Sequence, residues 1–127
     1  RAVAVEARPD RAARIRRNAE SLGVPDLAVV EGAAPAALAG LPPPDAVFVG
    51  GGVSEPGLLA RAAEALPPGG RLVANAVTLE GEAALLGAFS ETGGALRRLS
   101  VARADPVGGM HGWRAAMPVT QWVWTRP

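Results

Sequence analysis

The sequence predicts an α/β fold with a mostly parallel sheet, on three observations. Short apolar runs rich in β-branched residues alternate with alanine- and leucine-rich amphipathic stretches, the order that builds βαβ units. The apolar runs stop at turn chemistry, in Glu6 to Pro9, Gly32 to Pro35, Gly50-Gly51-Gly52 and Pro67 to Gly70. The last two runs are joined by a stretch with no helical period, which allows an antiparallel pair at the end of the sheet.

Taken in order, Ala2 to Glu6 reads as a strand closed by a carboxylate. Pro9 and Asp10 open a helix, since proline suits a first turn and aspartate the positive end of the helix dipole. Ala12, Ile15, Ala19 and Leu22 form its apolar stripe, and Gly23 and Pro25 end it. Leu27 to Glu31 is a second strand, followed by a short helix around Ala36 to Ala39 and a stiff spacer, Pro42-Pro43-Pro44. Asp45 to Val49 reads as a strand buried on both faces, running straight into three glycines. A helix from Pro56 to Leu66 buries Leu58, Leu59, Ala62, Ala63 and Leu66. Arg71 to Val77 is again a buried strand, and Leu79 to about Phe89 an amphipathic helix. Leu96 to Arg103 alternates as a strand, Ala104 to Met117 reads as an irregular loop, and Val119 to Thr125 closes the pattern as an alternating strand. No repeat and no flexible linker interrupts it, so residues 1–127 are expected to form a single domain. Position 1 is arginine and strand pattern begins at once, so the domain is expected to be N-terminally incomplete.

With 127 residues, 49% of them hydrophobic, the chain has enough apolar mass for a core. A formal charge of +1 argues against nucleic acid or a membrane surface as a partner held by bulk charge. The absence of cysteine removes disulfides, thiolate metal sites and cysteine nucleophiles. No apolar run is long enough to span a bilayer, so the cytoplasm is the expected location.

Ligands of open α/β sheets bind beyond the carboxyl ends of the strands, which singles out a few residues. Glu6 is either a ligand for ribose hydroxyls, because a carboxylate accepts two bonds from a cis-diol, or a solvated carboxylate before a helix. Gly32, Ala33 and Ala34 occupy the same place after the next strand, where small residues let a flat ring approach the backbone. Gly50, Gly51 and Gly52 give the same freedom after the central strand. Each of these glycine turns reads equally as a plain strand-to-helix connection. Gly109 to Arg114 mixes glycine with His111, the only histidine, Trp113 and Arg114, either a mobile substrate cover or a solvated loop. Trp122 and Trp124 share a strand face and read as core or subunit interface. No metal-ligating cluster, no nucleophile with a paired base and no phosphate-binding loop of the Walker type is present. A reaction whose reactive group arrives with a cofactor fits this inventory.

Ala2 to Glu6, Glu31-Gly32-Ala33-Ala34-Pro35, Asp45 to Gly52 and Leu66 to Val73 together resemble the class I S-adenosylmethionine-dependent methyltransferases. Within that class, Val49-Gly50-Gly51-Gly52, Asn75 to Glu80 and Met117 to Trp122 resemble the decarboxylating precorrin methyltransferases of cobalamin biosynthesis. The resemblance covers essentially the whole chain. It implies a Rossmann-like sheet, S-adenosylmethionine held by Glu6, Gly32 to Ala34 and Gly50 to Gly52, and a precorrin tetrapyrrole as substrate. It implies attack of an electron-rich ring carbon on the sulfonium methyl group and loss of the ring C acetate side chain's carboxyl as carbon dioxide. It also implies a homo-oligomer, a tetramer. Arg103 and Arg114, with His111, are the candidates for the substrate's carboxylates, since arginine pairs bidentately with them. Two departures stand out. The family's first strand and glycine-rich loop are absent, expected upstream of Arg1. Ala33 also stands where the family carries an aspartate, leaving the adenine to backbone groups. The alternatives are another nucleotide-cofactor enzyme, such as a nicotinamide-dependent dehydrogenase, and a non-catalytic fragment with a degenerate site.

Overall fold

The computed structural model describes residues 1–127, which form two compact units, Arg1–Pro42 and Pro43–Pro127. In the first, β1 (Val3–Glu6) and β2 (Ala28–Glu31) pair in parallel, connected by α1 (Pro9–Ser21) and followed by a short 3-10 turn (Ala36–Leu38). Helix α1 begins with the proline expected there, and the Arg8 guanidinium forks onto the Asp10 carboxylate at 3.1 and 3.0 Å. That contact holds the Asp10 carboxyl below the usual carboxylate range. At the other end, Gly23 N–H donates to the Glu20 carbonyl and Val24 N–H to that of Ala19, the paired bonds of a Schellman cap. Ala12 and Ala19 are buried, as the stripe requires, but Leu22 is 78% exposed because it lies at the cap, where the chain turns away.

The second unit carries β3 (Ala46–Val49), α2 (Leu58–Ala65), β4 (Arg71–Ala76), α3 (Leu79–Thr92), β5 (Ala95–Leu99), β6 (Ala102–Val107), β7 (Met110–Ala115) and β8 (Val119–Thr125). Its main sheet runs β3-β4-β8-β5, with β3 parallel to β4 and β8 antiparallel to both of its neighbours. The α/β class and the antiparallel C-terminal strand are as the sequence predicts. The stretch expected to be an irregular loop is instead an antiparallel hairpin, β6–β7, and the strand before it stops at Leu99.

One face of this sheet is the core. Leu72 and Ala74 are fully buried, with Val49, Ala76 and Trp122 close behind, beneath Leu85 of α3. Leu58, Ala62 and Leu66 form the buried stripe of α2. Gly81 sits so close to this face that a Cβ there would lie 2.9 Å from the Cβ of Ala76. The other face, with Val73, Asn75, Gln121 and Val123, is half-buried, and Phe48 is 65% exposed. The expectation that β3 is buried on both faces therefore does not hold within this unit: α3 packs against the Ala76 side only, and Phe48 points the other way.

The sheet is pinned to its helices by polar contacts from β8 and its end. Thr120, 3% exposed, donates to Glu82 Oε2 at 2.5 Å, and Arg98 Nη2 donates to the same oxygen at 2.5 Å. These bonds, first Thr120 and then Arg98, hold the Glu82 carboxyl below its ordinary value of 4.5. Trp122 Nε1–H donates to the Gly93 carbonyl at 2.9 Å, and its ring stacks on Trp124 with centroids 6.2 Å apart. Gly94 admits this approach: a Cβ there would meet the Val123 carbonyl oxygen at 2.5 Å, and φ values of +73° at Gly93 and +98° at Gly94 favour glycine at both positions. Arg126 Nη1 donates to the carbonyls of Ala63, Glu64 and Leu66, satisfying the end of α2.

Two outcomes follow for the intact polypeptide. Arg126→Ala removes the donor for the α2 carbonyls and lowers stability by about 1 to 3 kcal/mol; a denaturation midpoint equal to the parent's would refute the capping role. Glu82 has a depressed pKa in the fold, so its contribution is present above pH 4.5 and is lost as pH falls through the lowered folded value. Glu82→Gln accordingly flattens the loss of stability on acidification below that pH, read by melting temperature across a pH series.

Candidate cofactor and substrate sites

In the first unit, the parallel register sets Glu6 of β1 beside Glu31 of β2 at the carboxyl ends of both strands. Two carboxylates at this spacing repel. The structure resolves the pair unequally. Arg16 Nη1 binds Glu31 Oε1 at 2.6 Å, while Glu6 meets no arginine and accepts only the backbone N–H of Arg8, at 2.9 Å on Oε1. Glu6 is half-buried and held by its own turn, with acceptor capacity to spare.

The turn after β2 continues the same edge. Gly32 N–H donates to the Glu6 carbonyl at 3.1 Å, extending the ladder by one bond. A Cβ at Gly32 would stand 2.9 Å from the Cβ of Ala37, so only glycine lets the 3-10 turn fold back here. Ala33 is exposed, its carbonyl accepts from Ala37, and the N–H groups of Ala33 and Ala34 donate to no acceptor in the chain. The four candidates Glu6, Gly32, Ala33 and Ala34 thus lie together at one strand edge. They offer a carboxylate and free amide donors, a set that fits a ribose and the rim of a nitrogen heterocycle.

In the second unit, Gly50, Gly51 and Gly52 leave the carboxyl end of β3. Gly52 has φ +70° and its carbonyl accepts from Glu55 N–H at 2.8 Å, which turns the chain toward α2. Gly51 has open space where a side chain would be, and the Phe48 ring closes over Gly50, 2.8 Å from the position of a Cβ. The loop presents bare backbone at the strand end.

The three substrate candidates do not converge. Arg103 and Arg114 are cross-strand partners on one face of the β6–β7 hairpin, with Arg114 Nε paired to Asp105 Oδ2 at 2.7 Å. His111 pairs with Pro106 on the opposite face, beside Trp113. The irregular-loop reading is corrected accordingly: these residues sit on a regular two-stranded ribbon with Gly108 in its turn at φ +59°. Alternation on both sides of Gly108-Gly109 is the hairpin signal, and Pro106 masked it, because a proline counts against a strand except at an edge.

Sequence reasoning also passed over Asn75 and Gln121, which face each other across β4 and β8. Gln121 Nε2 donates to Asn75 Oδ1 at 3.0 Å. No motif rule marks an amide pair. Only the strand register brings the two together.

The sequence profile of a family described as a precorrin methyltransferase domain matches residues 1–126. The chain is 62% identical over 125 residues to the precorrin-6Y C(5,15)-methyltransferase [decarboxylating] of a Sinorhizobium species, covering 98% of this chain and 30% of that protein. It is similar to the crystal structure of the C-terminal domain of precorrin-6Y C5,15-methyltransferase from Rhodobacter capsulatus, at TM-score 0.89 and 47% identity, over 99% of this chain and 68% of the other. A precorrin 8W decarboxylase structure from Methanobacterium thermoautotrophicum matches at TM-score 0.82 and 26% identity, over 97% and 68%. The chain spans about a third of the length of the curated relatives it matches in full. These neighbours share a Rossmann-like methyltransferase architecture, and none of them favours the nicotinamide alternative. Across both of its units, the chain belongs to the precorrin methyltransferase domain family.

Proposed function

We propose that the intact polypeptide is an S-adenosylmethionine-dependent methyltransferase that methylates a carbon of a precorrin tetrapyrrole and decarboxylates its ring C acetate side chain, in the cytoplasm, as a step of cobalamin biosynthesis. Residues 1–127 are read as part of one catalytic domain, supported by a family match that runs unbroken through both units. The observation that carries the reading is the edge of the first unit, where a carboxylate without an arginine partner stands beside amide donors without acceptors. The Sinorhizobium relative's name supplies the reaction.

In this reading Glu6 accepts from the ribose hydroxyls, and the N–H groups of Ala33 and Ala34 hold the heterocycle's edge in place of the missing aspartate. Gly50 to Gly52 supply close backbone approach. When bound, S-adenosylmethionine supplies the methyl group as an electrophile. The chain's own residues align and enclose the reactants, which is where effective concentration comes from. Arg103, with no carboxylate partner of its own, pairs with a substrate carboxylate, while Arg114 is oriented by Asp105. The defining experiment incubates the intact protein with labelled S-adenosylmethionine and a precorrin and follows methyl incorporation and carbon dioxide release together; neither product would end the proposal.

The hairpin also supports the homo-oligomer that the resemblance implies. On its His111 face Trp113 is 79% exposed, and Met110 at the turn is 75% exposed, on a ribbon that pairs with no other strand of the unit. Trp113→Glu is expected to lower the mass measured by light scattering to that of a smaller assembly; an unchanged mass would place the interface elsewhere.

Glu6→Ala weakens cofactor binding by about 1 to 3 kcal/mol, the worth of charge-assisted bonds to the ribose. Calorimetric titration with S-adenosylhomocysteine checks it, and equal affinities would reduce Glu6 to a surface carboxylate. Arg103→Gln raises KM for the tetrapyrrole severalfold and leaves cofactor affinity at the parent value; a loss confined to cofactor binding contradicts the assignment.

A further inference from the structure

Asn75 and Gln121 belong to the two motifs, Asn75 to Glu80 and Met117 to Trp122, that the cofactor reading leaves unused. The fold lays these motifs side by side: β4 and β8 are antiparallel, with Asn75 opposite Gln121 and Ala76 opposite Thr120. The neighbours separate by face. Thr120 points into the core and serves Glu82, while Asn75 and Gln121 point to the half-buried face.

The position of the pair is set by a second register. Val49 is the last residue of β3 to pair with β4, opposite Ala74. The next residues, Gly50 and Asn75, leave that pairing together. Asn75 therefore stands one strand from the glycine loop and Gln121 two strands from it, at roughly 5 Å per strand. The amides lie beside the loop and not on it.

Their chemistry is unspent. The single bond from Gln121 Nε2 to Asn75 Oδ1 fixes both side chains. It leaves the Asn75 amino group and the Gln121 carbonyl oxygen with no partner in the chain. Their half-buried face also carries Phe48, Val73, Val123 and Ala95, and Arg97 of β5 stands directly opposite Gln121 on it. A neutral donor and a neutral acceptor, locked side by side, do not match a lone carboxylate, which takes donors only. They match a ligand edge that offers one N–H and one oxygen acceptor.

We propose that the Asn75–Gln121 pair is a substrate-positioning element: Gln121 Oε1 accepts a pyrrole N–H of the macrocycle, and Asn75 Nδ2 donates to a neighbouring side-chain carboxylate. This deepens the proposed methyltransferase reading and rests on it. The substrate must lie next to the cofactor for methyl transfer, and the next strands over from the glycine loop are where it would be met. The pair acts by fixing the orientation of the ring, so its loss is read in KM before it is read in cofactor affinity.

The test uses Asn75→Asp in the intact polypeptide. An aspartate still accepts from Gln121 Nε2, so a purely structural role survives, but the donor to the ligand becomes a repelling carboxylate. The expected result is a KM for the precorrin raised roughly tenfold or more, with melting temperature and S-adenosylhomocysteine affinity at parent values. Gln121→Met, which deletes the ligand-facing acceptor at similar size, is expected to raise KM in the same direction and serves if the aspartate variant does not fold. An unchanged KM in both variants overturns the proposal, as does a fall in melting temperature with KM unmoved, the signature of a register pin. A loss confined to cofactor affinity overturns it too, by assigning the amides to the cofactor. If the parent protein itself transfers no methyl group while binding S-adenosylhomocysteine, the functional reading fails first and this inference falls with it.

Discussion

The second unit depends on β8 lying between β4 and β5. Both neighbours expose a row of N–H and C=O groups on the side facing it, and each group left unpaired in a buried setting costs of the order of 1 to 3 kcal/mol. β8 meets both rows, six residues of β4 and five of β5, in antiparallel register. Its side chains then fasten what surrounds the sheet. Thr120 reaches Glu82 at the start of α3, Trp122 reaches the carbonyl just past its end, and Arg126 closes α2. Helix positions in this unit are set from one strand.

That arrangement explains where chemistry is exposed. The core face is closed by aliphatic contacts and polar clamps, so reactive capacity collects at strand ends and on the opposite face. In the first unit, α1 disposes of one carboxylate through Arg16 and leaves Glu6 available. In the second, β3 ends in backbone alone, and β4 and β8 contribute the amide pair. The hairpin arginines stand on a separate ribbon, and their like charge is offset only by Asp105.

Much of this was legible from residue order. The strand–helix alternation and Pro9 and Gly23 at the ends of α1 are local signals that the structure places as read, and of the α2 stripe Leu58, Ala62 and Leu66 are buried while Leu59 and Ala63 are half-buried. The hairpin was misread because Pro106 breaks a strand pattern that the flanking alternation otherwise spells out. The exposure of Phe48 was not legible, because an apolar run says that burial is favoured and not which neighbour supplies it. The meeting of Asn75 with Gln121 could not be read at all: it exists only once a strand 46 residues away in sequence is paired in register. Local rules name elements, and long-range pairing decides what two elements present together.

The place of β8 in the sheet also orders events during synthesis. β4 is complete at Ala76, but its second row of partners is not made until Thr125 has been added. At roughly 5 to 20 residues per second, several seconds pass with that edge open and with the Trp122 site beneath α3 unfilled. A sheet whose inner strand arrives after its outer ones cannot close progressively from its amino end. In the interval β4 carries an unpaired strand edge, the kind of surface through which incompletely folded chains associate.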